Sequence, residues 1–253
     1  MCFFATKSSM KIRMKRKLAV VLLICISCHI GWAAQDFVWK SGQKMKVVCD
    51  TTEAPVVKVA LDLLKRDCRS VLSGEISRSE NTGNIYVGTW GESSVLQALA
   101  ETHQLDVAQL NEHKEAFLLN VLPDGRLVVA GSDKRGTAYG VLELSRMMGV
   151  SPWEWWADAV PEKKEEFRLP AGFRKLDYPQ VAYRGIFIND EDWGLTPWSW
   201  KHYEPSERKG QIGPKTHARI FELLLRLRAN TFWPAMHECS IPFFFTEGNK
   251  EMR

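Results

Sequence analysis

Cysteine is scarce here: of six in the 253-residue chain, only Cys49, Cys68 and Cys239 lie beyond residue 34. Three is an odd number and their separations fit no zinc-ligand pattern, so neither a disulfide scaffold nor a zinc module is indicated. One bridge, or three buried thiols, are the readings left. A long apolar run is also missing. The longest, Leu18–Ile30, falls short of the roughly 20 residues of a membrane-spanning helix. An excess of one charge sign is missing too, once the first segment is set aside. Residues 1–34 hold six cations (Lys7, Lys11, Arg13, Lys15, Arg16, Lys17) and no acid, so 28 of the 34 basic residues remain against 30 acids. The overall charge of +4 therefore belongs to the N-terminus, and nucleic-acid binding loses its main support. With 45% hydrophobic and 25% charged residues, the composition is that of a folded protein.

What is present begins with the three parts of a secretory signal. Lys11–Lys17 is the charged region, Leu18–Ile30 the apolar region, and Gly31, Ala33 and Ala34 supply the small residues of a cleavage site. Residues 1–34 are thus read as a signal peptide, and the protein as secreted or periplasmic with no stable membrane span. Cys28, after Ser27, is an alternative lipid-anchor site in a poor sequence context.

Beyond it, strand and helix patterns alternate. Lys46–Cys49 and Asn84–Thr89 read as strands, and Pro55 opens a helix towards Leu72. Ser94–His103 reads as a short helix, and Gly136–Met148 as a helix stopped by Gly149. Ala116–Leu122 and Arg126–Gly131 flank Pro123-Asp124-Gly125, a hairpin with its turn chemistry spelled out. These elements define an α/β, sandwich-like N-terminal domain over residues 35–160. Residues 161–180, rich in Lys, Glu and Pro, read as a linker. Residues 181–253 then give strand, long aromatic loop, helix from Pro214, and strand from Thr231. That order opens a parallel βα repeat, the first units of an incomplete (β/α)8 TIM barrel, because a closed one takes about 250 residues. The expectation is a truncated catalytic barrel beyond a linker, with a protease-resistant core ending near residue 175.

Chemistry concentrates at three places. Asn189-Asp190-Glu191-Asp192-Trp193 follows the apolar strand, where barrel enzymes place catalytic groups. Paired acids there suit glycoside hydrolysis, and Trp193, Trp198, Trp200 and Tyr203 offer faces for sugar rings or, as often, anchor the loop as core residues. A solvated, capping acidic turn is the alternative. Glu238, with His237 beside it, ends the next strand and would share that face. The third place is Gly131-Ser132-Asp133-Lys134-Arg135-Gly136, a turn into a helix N-terminus without the Walker pattern. Lys134 and Arg135 offer cations to a sugar carboxylate; a surface turn with two solvated cations is the alternative. The cluster Trp153-Glu154-Trp155-Trp156 reads mainly as a packing device between domains. No metal-ligand spacing occurs.

Four stretches, GSDKRGTA (131–138), GVSPWEWWADAVP (149–161), YRGIFINDE (183–191) and LRANTFWPAM (227–236), together resemble glycoside hydrolase family 115, the α-glucuronidases acting on xylan. The resemblance implies an N-terminal α/β domain ahead of a (β/α)8 barrel. It implies inverting hydrolysis that frees glucuronic acid or its 4-O-methyl ether from acidic xylan or xylo-oligosaccharides, with no cofactor. Asp190 and Glu191 align with the family's active-site stretch; Asp190, Glu191 and Glu238 are the catalytic candidates. Lys134, Arg135, Asn189, Trp193 and His237 are the substrate-binding ones. Adjacent acids rarely supply both partners, so at least one catalytic carboxylate is expected beyond Arg253, and the full-length enzyme is open to homo-oligomerisation. Many family members continue Trp-Pro-Ala-Met with Trp-Gly where this chain has His237-Glu238, a departure that bears on the substrate contacts there and on the polymer attacked. A non-catalytic carbohydrate-binding or surface-attachment protein is the rival reading.

Overall fold

Strands whose apolar residues run without interruption need cover on both faces, and the central sheet has it. The computed structural model describes residues 33–102, 105–189 and 193–252, so the stretch 1–32 read as signal peptide lies outside the described residues. Six strands form this sheet in the order β3-β2-β4-β6-β5-β8. β2 (Lys44–Cys49), β3 (Glu75–Ser79), β4 (Ile85–Thr89) and β6 (Leu127–Gly131) run parallel. β5 (Phe117–Val121) and β8 (Arg174–Asp177) add an antiparallel flank.

Side chains alternate between two cores, as the strand period requires. Leu127 and Val129 join Phe117, Leu119, Ile85 and Val87 under one helical layer. Val128 and Ala130 join Leu118, Tyr86 and Val48 under the other. The first layer holds α1 (Pro55–Leu72) and α3 (Lys134–Met148); the second holds α2 (Ser94–Glu101). α1 starts on Pro55, whose missing N–H costs nothing there; it buries Val57, Ala60, Leu64, Cys68 and Val71 at helical spacing. α3 is capped by the Asp133 carboxylate, which accepts from the Arg135 and Gly136 amides at 3.0 and 2.9 Å. It ends at Gly149, whose φ of 103° only glycine takes readily.

The helices and the hairpin fall where the periodicity put them, but the linker does not. Within 161–180, β7 (Glu166–Leu169) pairs antiparallel with β1 (Phe37–Lys40), and β8 closes one edge of the central sheet. Charged residues disguised a period-2 strand: Phe167 and Leu169 are buried while Glu166 and Arg168 face out. Asp36 and Glu166 pair with Arg168 and reinforce this edge.

The remaining elements are a short helix α4 (Leu195–Trp198) running into a π turn, helix α5 (Pro214–Arg226), and the strands β9 (Gly185–Phe187) and β10 (Thr231–Trp233). β9 and β10 pair in parallel, Phe187 beside Trp233. They do not form a separate body, because residues 35–253 are one compact unit. Arg226 of α5 makes a two-pronged pair with Asp67 of α1 at 2.8 and 2.9 Å, their side chains only 4% and 2% exposed. Arg66 pairs with Glu222, and Arg228 reaches both Glu143 and Asp177. Ion pairs, together with Leu225 packed against the first core, join the βα segment to the first domain, so the expected protected core ending near residue 175 does not follow. Among the described residues no helix is long and apolar enough to cross a membrane.

Candidate active site

The β9–β10 pair sets the geometry. On β10, Phe232 turns towards α5, its ring 5.1 Å from Phe221 and 5.6 Å from His217. Successive strand residues alternate, so Trp233 points the other way, where its ring lies 5.0 Å from that of Phe187. Parallel pairing carries both C-terminal ends to the same side. Asn189 follows β9 there and is exposed; Ile188 donates its amide to the Trp233 carbonyl at 2.8 Å. β10 stops at Trp233, before Pro234, short of the strand end expected at His237-Glu238; those two residues lie further along the chain, exposed in a turn closed by the Ser240 amide on the His237 carbonyl at 2.9 Å. Asp190 and Glu191 lie outside the described residues. Trp193 is 92% exposed.

The aromatic loop after β9 divides by role. Trp198 stacks on Tyr203 at 4.8 Å, and both rings meet Trp155 edge-on. Trp156 donates its indole N–H to the Arg219 carbonyl at 3.1 Å, and the Arg219 guanidinium covers Trp155 at 4.8 Å. Trp155 and Trp156 thus seat the loop and α5 on the first domain, the packing role read from their clustering, and Trp198 and Tyr203, offered as sugar faces, anchor the loop in that packing instead. Trp200 instead lines an open depression of about 460 Å³ with Lys201, Pro205, Ser206 and Glu207. Glu204 caps α5, accepting from the Lys215 and Thr216 amides at 3.1 Å each.

The glycine-rich turn works differently from the sequence expectation. The amides at the start of α3 that suit an anion are already held by Asp133. Arg135 gives its guanidinium to Glu115, and Lys134 is exposed beside it. Glu115 also receives Arg184, just before β9, and the Asn230 amide, just before β10, at 3.0 and 3.2 Å. Arg135 and Lys134 therefore belong to the N-terminal end of the strand pair, opposite Asn189, His237 and Glu238. The structure does not gather them with those residues into one site. Barrel enzymes carry out chemistry at the C-terminal end and put structural contacts at the N-terminal one.

Glu115 had no role in the sequence reading. It is 5% exposed and adopts φ 55°. Burial opposes its charge, but the bonds from Asn230, Arg184 and Arg135 outweigh that and hold its carboxyl below the ordinary carboxylate range. Its only trace in the sequence is an acid directly before an apolar strand. Among the described residues no group of three His, Cys, Asp or Glu side chains suits a metal ion, and no disulfide joins Cys49, Cys68 and Cys239.

Residues 176–252 match the family model of glycosyl hydrolase family 115. A solved structure of a family GH115 4-O-methyl-α-glucuronidase with specificity for decorated arabinogalactans is 62% identical, with a TM-score of 0.81 over 85% of this chain. The chain spans 28% of the length of that relative. A GH20 exo-β-N-acetylglucosaminidase from Vibrio harveyi overlaps at a TM-score of 0.45 and 15% identity, over 81% of this chain and 24% of its own. A β-N-acetylhexosaminidase from Bacteroides fragilis overlaps at 0.42 and 15%, over 80% and 31%. No curated protein matches the chain. With a 62%-identical member covering most of the chain and the family's model matching the βα segment, this chain belongs to glycosyl hydrolase family 115.

Proposed function

We propose that the protein is an exported glycoside hydrolase of the α-glucuronidase type, which removes glucuronic acid or 4-O-methylglucuronic acid branches from a polysaccharide. The observation that carries the reading is the parallel register of β9 and β10. The chain leaves the same side of the pair after β9, towards Asp190 and Glu191 in sequence, and after β10, towards His237 and Glu238, which supports a shared site. In an inverting reaction one carboxylic acid protonates the leaving oxygen while a second carboxylate activates water on the opposite ring face, the two standing about 6.5–9.5 Å apart. Asp190, Glu191 and Glu238 are the candidates for these groups, and Asn189, Trp193 and His237 for sugar contacts. No cofactor enters such a reaction.

The polymer follows from the 62%-identical relative, whose specificity is for decorated arabinogalactans. An arabinogalactan-type backbone is accordingly favoured over xylan, in line with the His237-Glu238 departure from the family's Trp-Gly. On this reading the 253 residues hold the first two strands of the catalytic barrel and bind without cleaving when alone. Titration with oligosaccharides carrying 4-O-methylglucuronic acid, beside an assay of uronic acid release, tests it. Tighter binding of the arabinogalactan series than of the xylan series, lost in Asn189→Ala, is the expected outcome. Equal or absent binding of both would remove the substrate assignment. Release of uronic acid by the chain alone would refute the claim that it is inactive by itself. Binding of neutral and acidic oligosaccharides alike would favour the rival, a non-catalytic carbohydrate-binding protein.

A further inference from the structure

Three of the four sequence stretches that carry the family resemblance meet at one side chain that belongs to none of them. Arg135 lies in the first, Arg184 in the third and Asn230 in the fourth, and all three bond to the Glu115 carboxylate. Glu115 is itself fixed by its backbone, since its amide donates to the Asp133 carboxylate at 2.8 Å. The same carboxylate caps α3. Next to it, the Ala116 amide donates to the Ser132 hydroxyl at 3.0 Å.

On the other side of Glu115, the starts of β9 and β10 are tied to each other. Arg184 donates its amide to the Asn230 side-chain oxygen at 3.0 Å, and its carbonyl accepts from the Asn230 and Thr231 amides at 2.8 and 2.9 Å. Its guanidinium also reaches the carbonyls of Arg228, Val181 and Ala182. The Asn230 amide nitrogen divides its donors between Glu115 and the Ala182 carbonyl at 2.8 Å. Tyr139 of α3 adds its hydroxyl to the Ala229 carbonyl at 3.1 Å. A three-residue parallel pair has little ladder of its own, and a one-residue slip would turn every side chain to the opposite face. Charged hydrogen bonds from a rigid neighbour are among the stronger polar contacts and are directional.

We propose that Glu115 is a positioning residue: through Arg184 and Asn230 it fixes the starts, and hence the register, of β9 and β10 against the N-terminal domain. The domain is then the template on which the first βα unit is aligned, and Asn189 and Glu238 inherit their placement from it. The importance for catalysis rests on the α-glucuronidase reading; the register itself does not.

Amide hydrogen exchange of the whole chain separates the two, because it needs no substrate. Glu115→Ala and Asn230→Asp attack the contact from either side. The aspartate keeps the oxygen that Arg184 uses but replaces the donor facing Glu115 with a second carboxylate. Both variants are expected to speed exchange at Thr231 and Ile188 by about tenfold or more, with Val87 and Val129 of the central sheet within about twofold of wild type. Glu115→Asp, which keeps the charge, is expected to recover part of the protection. Arg135→Ala, which leaves the strand-start bonds in place, is expected to change Thr231 and Ile188 by less than about threefold. The proposal is overturned if Glu115→Ala and Asn230→Asp leave both amides near wild type. It is equally overturned if Val87 and Val129 speed up as much as the strand pair, or if Arg135→Ala loosens the pair as much as Glu115→Ala. A failed uronic acid assay would leave these outcomes untouched.

Discussion

At the scale of single residues, the ion pairs between the first domain and α5 differ sharply in worth. Asp67 and Arg226 are 2% and 4% exposed and bond through both prongs. Removing Asp67 strips Arg226 of both prongs and leaves its buried charge only the single bond to Glu222 at 3.0 Å, so Asp67→Ala should cost up to about 3–5 kcal/mol, read from the urea midpoint. Adding Arg226→Met should return part of that loss, since the poorly compensated charge goes with it while Glu222 keeps Arg66 and Arg219. Surface pairs such as Lys44–Glu75, with both side chains over 60% exposed, should cost less than about 1 kcal/mol to break. Glu143 shows the same physics in its titration. Burial raises its pKa, but Arg146, Lys175 and Arg228 overrule it and hold the group at about 2, down from 4.5. A depressed carboxylate contributes stability above its unfolded pKa and loses it as pH falls through the folded one. Stability should therefore decline from about pH 4.5 towards 2, by roughly 2–3 kcal/mol for this group. Glu143→Gln should flatten that part of an acid-unfolding curve; a slope unchanged from wild type would remove Glu143 as its source.

Elements extend the argument. A side chain at Gly185 would run into the Thr231 carbonyl across the strand pair, with backbone on both sides and nothing free to move. Gly185→Ala should loosen β9 and β10 at a cost of about 1–3 kcal/mol, visible as faster exchange at Ile188 while α1 stays protected. How legible the elements were follows from where their signal lies. α1 announces itself by Pro55 and a 3.6-residue apolar period, and α3 by the Gly149 stop, because local propensity and burial agree there. β3, Glu-Ile-Ser-Arg-Ser at a sheet edge, carries little apolar signal, and its strand state depends on pairing with β2. β7 was hidden by Glu166 and Arg168, although Phe167 and Leu169 alternate with them.

For the whole molecule, the consequence is cooperativity. The stretch 161–180 is built into two sheets, and α5 is clamped to α1 by buried charges. Limited proteolysis should therefore spare residues 161–180, and heat should unfold residues 35–252 in one transition by both near- and far-ultraviolet circular dichroism. Early cleavage near residue 175, or two transitions, would show that the βα segment is only loosely attached.

By itself the sequence determined the alternation of strands and helices, the hairpin at Pro123-Asp124-Gly125, and the family stretches, because these depend on period, turn chemistry and motif. It also put Asn189 just after a strand, since parallel βα order alone orients that end, but the strand expected to run up to His237-Glu238 stops at Trp233, before Pro234, and leaves Glu238 in a turn. Tertiary structure decided what the charged residues do. Arg135 read equally well as a sugar ligand or a solvated cation, and only the fold brings it to Glu115. Glu115, Arg184 and Asn230 are separated by 69 and 115 residues from first to second and first to third, a distance at which no local pattern connects them. Their partnership exists only after the chain has packed, because electrostatic and hydrogen-bonding choices depend on neighbours in space.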